Sequence, residues 1–306
     1  MNNKLYYILF FLILFNSCEN GVKKKKILSE NTGKQNEIIL VVKDQYWEGA
    51  IGDILRGVFE AEILGLPQSE KLFNLVQINP DDFGRFFRTH KNIIFIREGI
   101  KDSYTKNKWA KSQIVMYLNS QSTEINFLGS CKKALNYLNK KEIENIKYTY
   151  KKGHNSDARK YIKSNFGIEL FLPTEYTVSL KDSQLFVSDF HSFNEKQDLL
   201  KYILVYDFIP RSSNIEQELV IYTDSILRTH IHGAVEGTYV QLDNRISISD
   251  NNGLFRGMWT LKNGFMAGPF IMKYRYIENR IVVSLGLVFY PNEKKRSYVR
   301  TFEAIL

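Results

Sequence analysis

His230 and His232, in the stretch HIHG, come closest in residue type and spacing to a reactive constellation. On a strand, residues two apart share a face, so the pair could offer two imidazoles to a metal that needs at least one further ligand. No HExxH and no paired cysteines accompany them. The competing reading ends a helix at these histidines, where an imidazolium suits the carbonyl-rich terminus. No metal and no cofactor is therefore expected. His90 and Arg256 also stand among hydrophobic residues. With His230 they are the candidate catalytic residues of a hydrolase whose site only the fold would assemble. That idea requires a pocket in which a histidine meets a carboxylate.

Other catalytic patterns are missing. There is no G-x-S-x-G elbow, no G-x-x-x-x-G-K-[ST] phosphate loop, and no G-x-G-x-x-G after a strand. Ser130-Cys131 lies in the middle of a helical stripe. Asp81-Asp82 follows Asn79-Pro80 at the start of a helix, where the dipole favours negative charge without any function.

Binding chemistry has more to work with. RGMWTLKNGFMAGPF (Arg256–Phe270) gathers Arg256, Trp259, Phe265 and Phe270 around glycines 257, 264 and 268. Trp and Arg are enriched at interaction hot spots, and glycines let a partner backbone approach. Aromatic faces beside Asn263 and Lys262 would also suit a sugar ring. The alternative makes Trp259 and Phe270 core residues of two strands joined by a turn at Asn263-Gly264. The LPQSE loop with Gln68 divides similarly, into a rigid connection or a ligand-facing lip.

The elements that must position these residues form an α+β pattern. Strands are expected at Asn36–Asp44, Leu72–Ile78, Asn92–Ile96 and Gln113–Leu118. Between the first two, Trp47, Ile51, Leu55, Val58, Phe59 and Ile63 fall at helical spacing, with Asp44 as a cap and Gly65-Leu66-Pro67 as the stop. This front half reads as a mixed sheet with crossover helices. One long bracing helix follows from Ser122 to about Lys163, with a stripe of Ile125, Leu128, Cys131, Leu135, Leu138 and Ile146, interrupted near Gly153-His154-Asn155. FGIELFLPTEYTVSL, SQLFVSDF and KYILVYDF resume strand chemistry, and Ile215–Ile231 is helical. The last third is antiparallel-rich and closes with a helix in NEKKRSYVRTFEAIL. Two lobes, 36–165 and 166–306, would suit this order. Arg88-Thr89-His90 and Arg228-Thr229-His230 both end expected helices, too short a match to establish duplication.

The beginning of the chain gives an address. Leu5–Phe15 is apolar throughout, too short for the ~20 residues of a spanning helix but the length of a signal-peptide core. Asn16-Ser17-Cys18 follows and resembles a bacterial lipobox, which makes 1–17 a signal peptide and Cys18 the lipidated residue. Residues 18–35, with Lys23–Lys26, read as a flexible tether. Several acyl chains on one residue anchor stably to a membrane. The full chain has a net charge of +9. Removing 1–17 takes one lysine and no acid, leaving 41 basic against 33 acidic residues, about +8. Four of those charges are the lysine run, so the body is only mildly basic and no nucleic-acid partner is expected. Cys131 is the sole remaining thiol, so no intramolecular disulfide is possible.

LGLPQSEKLF (Leu64–Phe73), His90-Lys91-Asn92, Trp109-Ala110 with Gln113, and Arg256–Phe270 together resemble an uncharacterised family of Bacteroidetes envelope lipoproteins, a domain of unknown function. The resemblance spans Asn36 to Phe270, departing at Lys91, where arginine is usual, and Ala267, where glycine is. It implies an outer-membrane-attached lipoprotein and transfers no catalytic residue. The expected function is a non-catalytic binding or accessory subunit with an envelope protein or glycan partner. The alternative is an envelope hydrolase acting on glycan or peptide.

Overall fold

Buried residues run almost without interruption from Ile38 to Val42, as expected of a strand covered on both faces. The computed structural model describes residues 27–194, 197–249 and 253–306; Cys18, the signal-like run and Lys23–Lys26 lie outside the described residues. Among the described residues the fold is α+β, with six α-helices and twelve strands in two sheets.

The first sheet comprises β1 (Glu37–Val41), β2 (Asn74–Ile78), β3 (Asn92–Arg97), β4 (Ser103–Lys106) and β5 (Ile114–Asn119), in the order β2-β1-β3-β5-β4. Only the edge strand β4 is antiparallel. The helix expected from Trp47 to Ile63 is two helices, α1 (Asp44–Trp47) and α2 (Ala50–Phe59). Gly49, in extended conformation, separates them, and Asp44 sits in the first turn of α1 rather than capping it. Asn79 does cap the following turn, accepting from the Asp81 N–H at 3.3 Å, but the segment is a 3-10 turn (Pro80–Asp82).

The second sheet is fully antiparallel: β6 (Thr177–Lys181), β7 (Leu185–Asn194), β8 (Gln197–Phe208), β9 (Tyr239–Ser249), β10 (Leu254–Lys262), β11 (Ala267–Ile277) and β12 (Arg280–Phe289), ordered β6-β7-β8-β12-β11-β10-β9. FGIEL and its neighbours do not begin a strand. Ile168, Leu170 and Leu172 instead fill the core from irregular chain, and strand pairing starts at Thr177. One face of the sheet packs on α4 (Ser156–Phe166) and α6 (Arg296–Ile305), and the other on α5 (Ile215–His230). A largely parallel sheet and an antiparallel one are not copies of each other, so the two Arg-Thr-His stretches mark no duplication among the described residues.

The long helix is α3 (Glu124–Lys152), about 43 Å at ~1.5 Å per residue. It ends where the sequence is interrupted, and Asn155 then caps α4 by accepting from the Ala158 N–H at 3.0 Å. Its buried stripe is Phe127, Cys131, Ala134, Leu138 and Glu142, whereas Ile125 is exposed. The stripe differs from the expected one because the helix serves two cores. Phe127 to Leu138 pack against the first sheet, and Ile143, Ile146 and Tyr150 against the second.

Two polar clamps complete the join. Glu70, buried at the end of the LPQSE loop, accepts from the backbone N–H groups of Lys295 at 2.6 Å and Arg296 at 3.1 Å. A carboxylate from the first half thus caps the last helix of the second, where the free N–H groups and helix dipole favour an anion. Nearby, Glu303 of α6 accepts from Arg256 of β10 at 3.0 Å and from Arg300 at 2.9 Å, and Arg300 reaches Asn139 of α3 at 3.0 Å. Gly65 (φ +83°) lets this loop pass against the Gly257 backbone, since a side-chain carbon there would lie 3.3 Å from the Gly257 nitrogen.

The segment read as a tether up to residue 35 is held in its described part. Thr32 N–H donates to Thr89 O at 2.9 Å, Lys91 N–H to Thr32 O at 2.9 Å and Lys111 N–H to Ser29 O at 2.9 Å. Backbone pairing outweighs the polar composition here, and the body begins near Leu28. Replacing Glu70 with alanine removes two charge-assisted bonds and should lower stability by about 2 kcal/mol. The check is a urea transition with a reduced midpoint and unchanged slope.

Candidate functional site: a groove at the open end of the antiparallel sheet

The helix α5 is too short for the strands it covers. Its 16 residues extend ~24 Å at ~1.5 Å per residue, whereas the 12 residues of β8 extend ~40 Å at ~3.3 Å per residue. The uncovered stretch, beyond the helix C-terminus, is a groove of about 480 Å³. Its floor comes from alternate residues of three strands: Leu200 and Tyr202 of β8, Leu287 and Phe289 of the neighbouring β12, and Trp259 and Leu261 of β10, which β11 separates from β12. Its rims are the α5–β9 connection, Ile231 to Ala234, and the β10–β11 hairpin with Phe265 and Met266.

The hairpin turns where expected. Asn263 adopts φ +57°, the Gly264 N–H donates to Leu261 O at 3.1 Å, and Leu261 N–H donates to Met266 O at 2.8 Å. Trp259 pairs opposite Gly268 in the β10–β11 register, and its indole N–H donates to Val288 O at 3.3 Å. A side-chain carbon on Gly268 would lie 1.9 Å from that oxygen and 3.1 Å from the indole nitrogen. Glycine at 268 therefore allows the tryptophan to lie flat as the floor. The apolar hairpin tip is different: Phe265 is 94% exposed, and across the groove Phe193 is 66% exposed.

Polar groups gather at one end. His191 and Asp189 of β7 approach at 3.4 Å between Nε2 and Oδ2. The His191 ring stands edge-on to Tyr202, centroids 5.6 Å apart. Burial, and then the charge of Asp189, push the Tyr202 phenol above its usual range, so it stays a neutral donor. His230 and His232 line the adjoining cleft with Asp189 and Tyr202. His232 Nε2–H donates to Arg228 O at 2.9 Å and so occupies the carbonyl-rich end of α5. Among the described residues no three His, Cys, Asp or Glu side chains converge as metal ligands would. Ser179, also in the cleft, donates its hydroxyl to Val187 O at 3.3 Å.

The sequence candidates separate. Trp259 and Phe265 meet at the groove, His230 lines the adjoining cleft, and Phe270 is buried in the core. Arg256 is on the opposite face of the sheet, bound to Glu303. Gln68 is exposed on its loop, where Glu70 makes the structural contacts. His90 is enclosed in the first half. Its Nε2 lies 3.0 Å from Glu37 Oε1, and its Nδ1 lies 3.0 Å from Asn92 O. Asn92 in turn donates to Glu142 Oε1 at 2.9 Å, and Gln113 donates to His90 O at 2.7 Å. The motif His90-Lys91-Asn92 with Gln113 is thus one polar network under α3. His90, His230 and Arg256 do not form a joint catalytic site. The residues that sequence reasoning missed, Asp189, His191 and Phe193, follow the alternation Leu185, Val187, Asp189, His191, Phe193 along one face of β7, a period-2 signal that could have exposed them.

Residues 31–151 match the family model described as Domain of unknown function (DUF8532), and residues 155–306 the one described as Domain of unknown function (DUF4837). Both matches are to domains of unknown function. The span over which one family resemblance was expected, Asn36–Phe270, is thus covered by two models, and they meet at the break between α3 and α4, not at the 165/166 boundary expected between two lobes. No curated protein and no solved structure matches the chain.

Two groups, the half-buried Glu37 and the buried Cys131, give direct checks. Burial alone would raise the Glu37 carboxyl, but the hydrogen bonds from His90 and the Lys34 N–H outweigh it and hold it below its usual value. A depressed folded pKa means stability that is present above the unfolded value, ~4.3, and lost as pH falls through the folded one. Glu37→Gln should therefore flatten the acid limb of a stability-versus-pH profile. Cys131 is pushed up to about 12 by burial and then by the charge of Asp102. Its thiol should resist a disulfide reagent at pH 8 in the native protein and react fully once urea unfolds it.

Proposed function

We propose that this chain is an outer-membrane lipoprotein, anchored through Cys18, whose groove binds an apolar segment of another envelope protein. The observation that carries this reading is the exposed aromatic side chains of Phe193 and Phe265 at a groove whose floor includes Trp259, Phe289 and Leu287. A contiguous apolar surface rimmed by polar residues is characteristic of an interaction site. A buried aromatic floor with exposed anchors around it is where binding energy concentrates. The anchor reading rests on the lipobox-like Asn16-Ser17-Cys18 and the short apolar run before it. No helix of the described residues is long and apolar enough to cross a membrane.

A second reading, the envelope hydrolase, is favoured by one observation: the Asp189–His191 pair on the groove wall, the arrangement in which a carboxylate orients a general base. It predicts turnover of an envelope glycan or peptide that His191→Gln abolishes while the fold persists. Binding without turnover, unchanged in His191→Gln, decides against it.

The direct test isolates the lipidated chain from its native envelope in mild detergent and weighs what co-elutes. Phe265→Asp should remove a stoichiometric partner without shifting the thermal midpoint, because the wild-type ring is exposed and supports little of the core. Trp259→Ala confounds folding with binding, since that indole is a core group. Recovery of the wild type as a lone monomer would exclude a stable partner.

A further inference from the structure

A second cavity, of about 230 Å³, lies where the two halves of the chain meet. Tyr150 at the end of α3 forms one wall. Glu175 and Tyr176, from the connection between α4 and β6, form another, and Ser297 and Thr301 of α6 also line it. Lys201 of β8 is at the base. Its side chain is only 9% exposed, with the ammonium 2.9 Å from Glu175 Oε1, 4.0 Å from the Phe190 ring centre and 4.8 Å from that of Tyr176.

The ion pair alone adds little stability. A buried ion pair contributes less than well-packed apolar side chains of the same volume, because both ions lose their hydration. Here the pair adjoins an open polar cavity instead of closed packing. Its acid partner is 43% exposed on a loop. The aromatic rings around the lysine provide faces, and their phenols remain protonated: burial raises Tyr150, Tyr176 and Tyr298 above the usual range.

The charge balance selects the ligand class. Glu175 neutralises Lys201, so the cavity offers an anion no uncompensated cation. What it offers is one strong donor beside one strong acceptor, the pattern complemented by two neighbouring hydroxyls, of which one accepts from the ammonium and the other donates to the carboxylate. Aromatic faces suit the C–H surface of a ring. The volume is below the roughly 300–1,000 Å³ usual for drug-sized ligands, which limits the occupant to about one ring. We propose that this cavity binds a neutral sugar ring, such as the terminal residue of an envelope glycan. Because Tyr150 belongs to the first half and Lys201 to the second, the site exists only when the halves are assembled. It is independent of the groove.

The test titrates the full chain in mild detergent with methyl glucoside, methyl galactoside and N-acetylglucosamine, and in parallel with glucuronate and phosphate, reading NMR shifts or heat. At least one neutral sugar should saturate, with the anions at least tenfold weaker. Lys201→Met should weaken the sugar at least tenfold. Ser297→Leu, which narrows the entrance at an exposed helical position and keeps the ion pair, should do the same in a protein of unchanged thermal midpoint. Phe265→Asp, in the groove, should leave it unaltered. Failure of every neutral sugar to bind would overturn the proposal. So would tighter binding of an anion, or sugar affinity unaffected by Ser297→Leu.

Discussion

The carboxylate of Glu303 is the point on which the assembly turns. It is shared between Arg256, which rises from the antiparallel sheet, and Arg300, one helical turn earlier on α6, and through Arg300 it reaches Asn139 on α3. Three elements from both halves therefore meet on one buried acid. Arg300 and Glu303 are only 5% and 8% exposed. Losing either member would strand a charge in a low-dielectric interior, at a cost of ~3–5 kcal/mol. Such an arrangement is unforgiving of misregister, because a hydrophobic contact tolerates sliding and a hydrogen-bonded charge does not. Glu70 supplies the complementary constraint from the other side by ending the free N–H groups of α6.

With the helices fixed in this way, the covered and uncovered parts of the second sheet follow from length alone. On one face α4, α6 and the irregular segment around Leu170 bury most of the apolar strand residues. On the other, α5 ends at His230, and the chain returns at once into β9 through Gly233 and Thr238. The strands continue past that return and keep their apolar alternation. Apolar side chains without a covering element produce a cleft. Trp259 belongs to both worlds, bonded to the backbone of β12 and open on one face to the cleft.

Much of this was legible in the sequence. The capping by Asn79, the helix over 215–230 and the strands of the last third follow from local signals that tertiary contacts did not override, whereas Asn155 was legible as a break and not as the cap it is. The long helix was legible in its start and in its interruption, but not in its end, since the residues up to about Lys163 belong to α4, nor in its orientation. A helix packed against two cores in succession has no single stripe, and Ile125 was misplaced for that reason. The polar composition of 27–35 suggested a tether, because pairing of backbone groups with residues 89–91 and 111 leaves no mark in side-chain type. For the site, Trp259 and Phe265 carried recognisable chemistry, whereas His191 did not stand out among the strand residues around it. Arg256 and His90 drew attention for a sound reason, charge amid apolar residues. The fold spends that charge on holding its parts together.

The exposed tip at Phe265 has a consequence for how this protein can change over time. The groove floor is constrained by packing, since Trp259 needs Gly268 beneath it and Val288 beside it. The tip is not part of either core, and Phe265 is 94% exposed. Floor and rim thus evolve under separate rules. Relatives can exchange rim residues while inheriting the same scaffold, so under the binding role proposed above, divergence at positions 193 and 265 would record changes of partner rather than loss of structure.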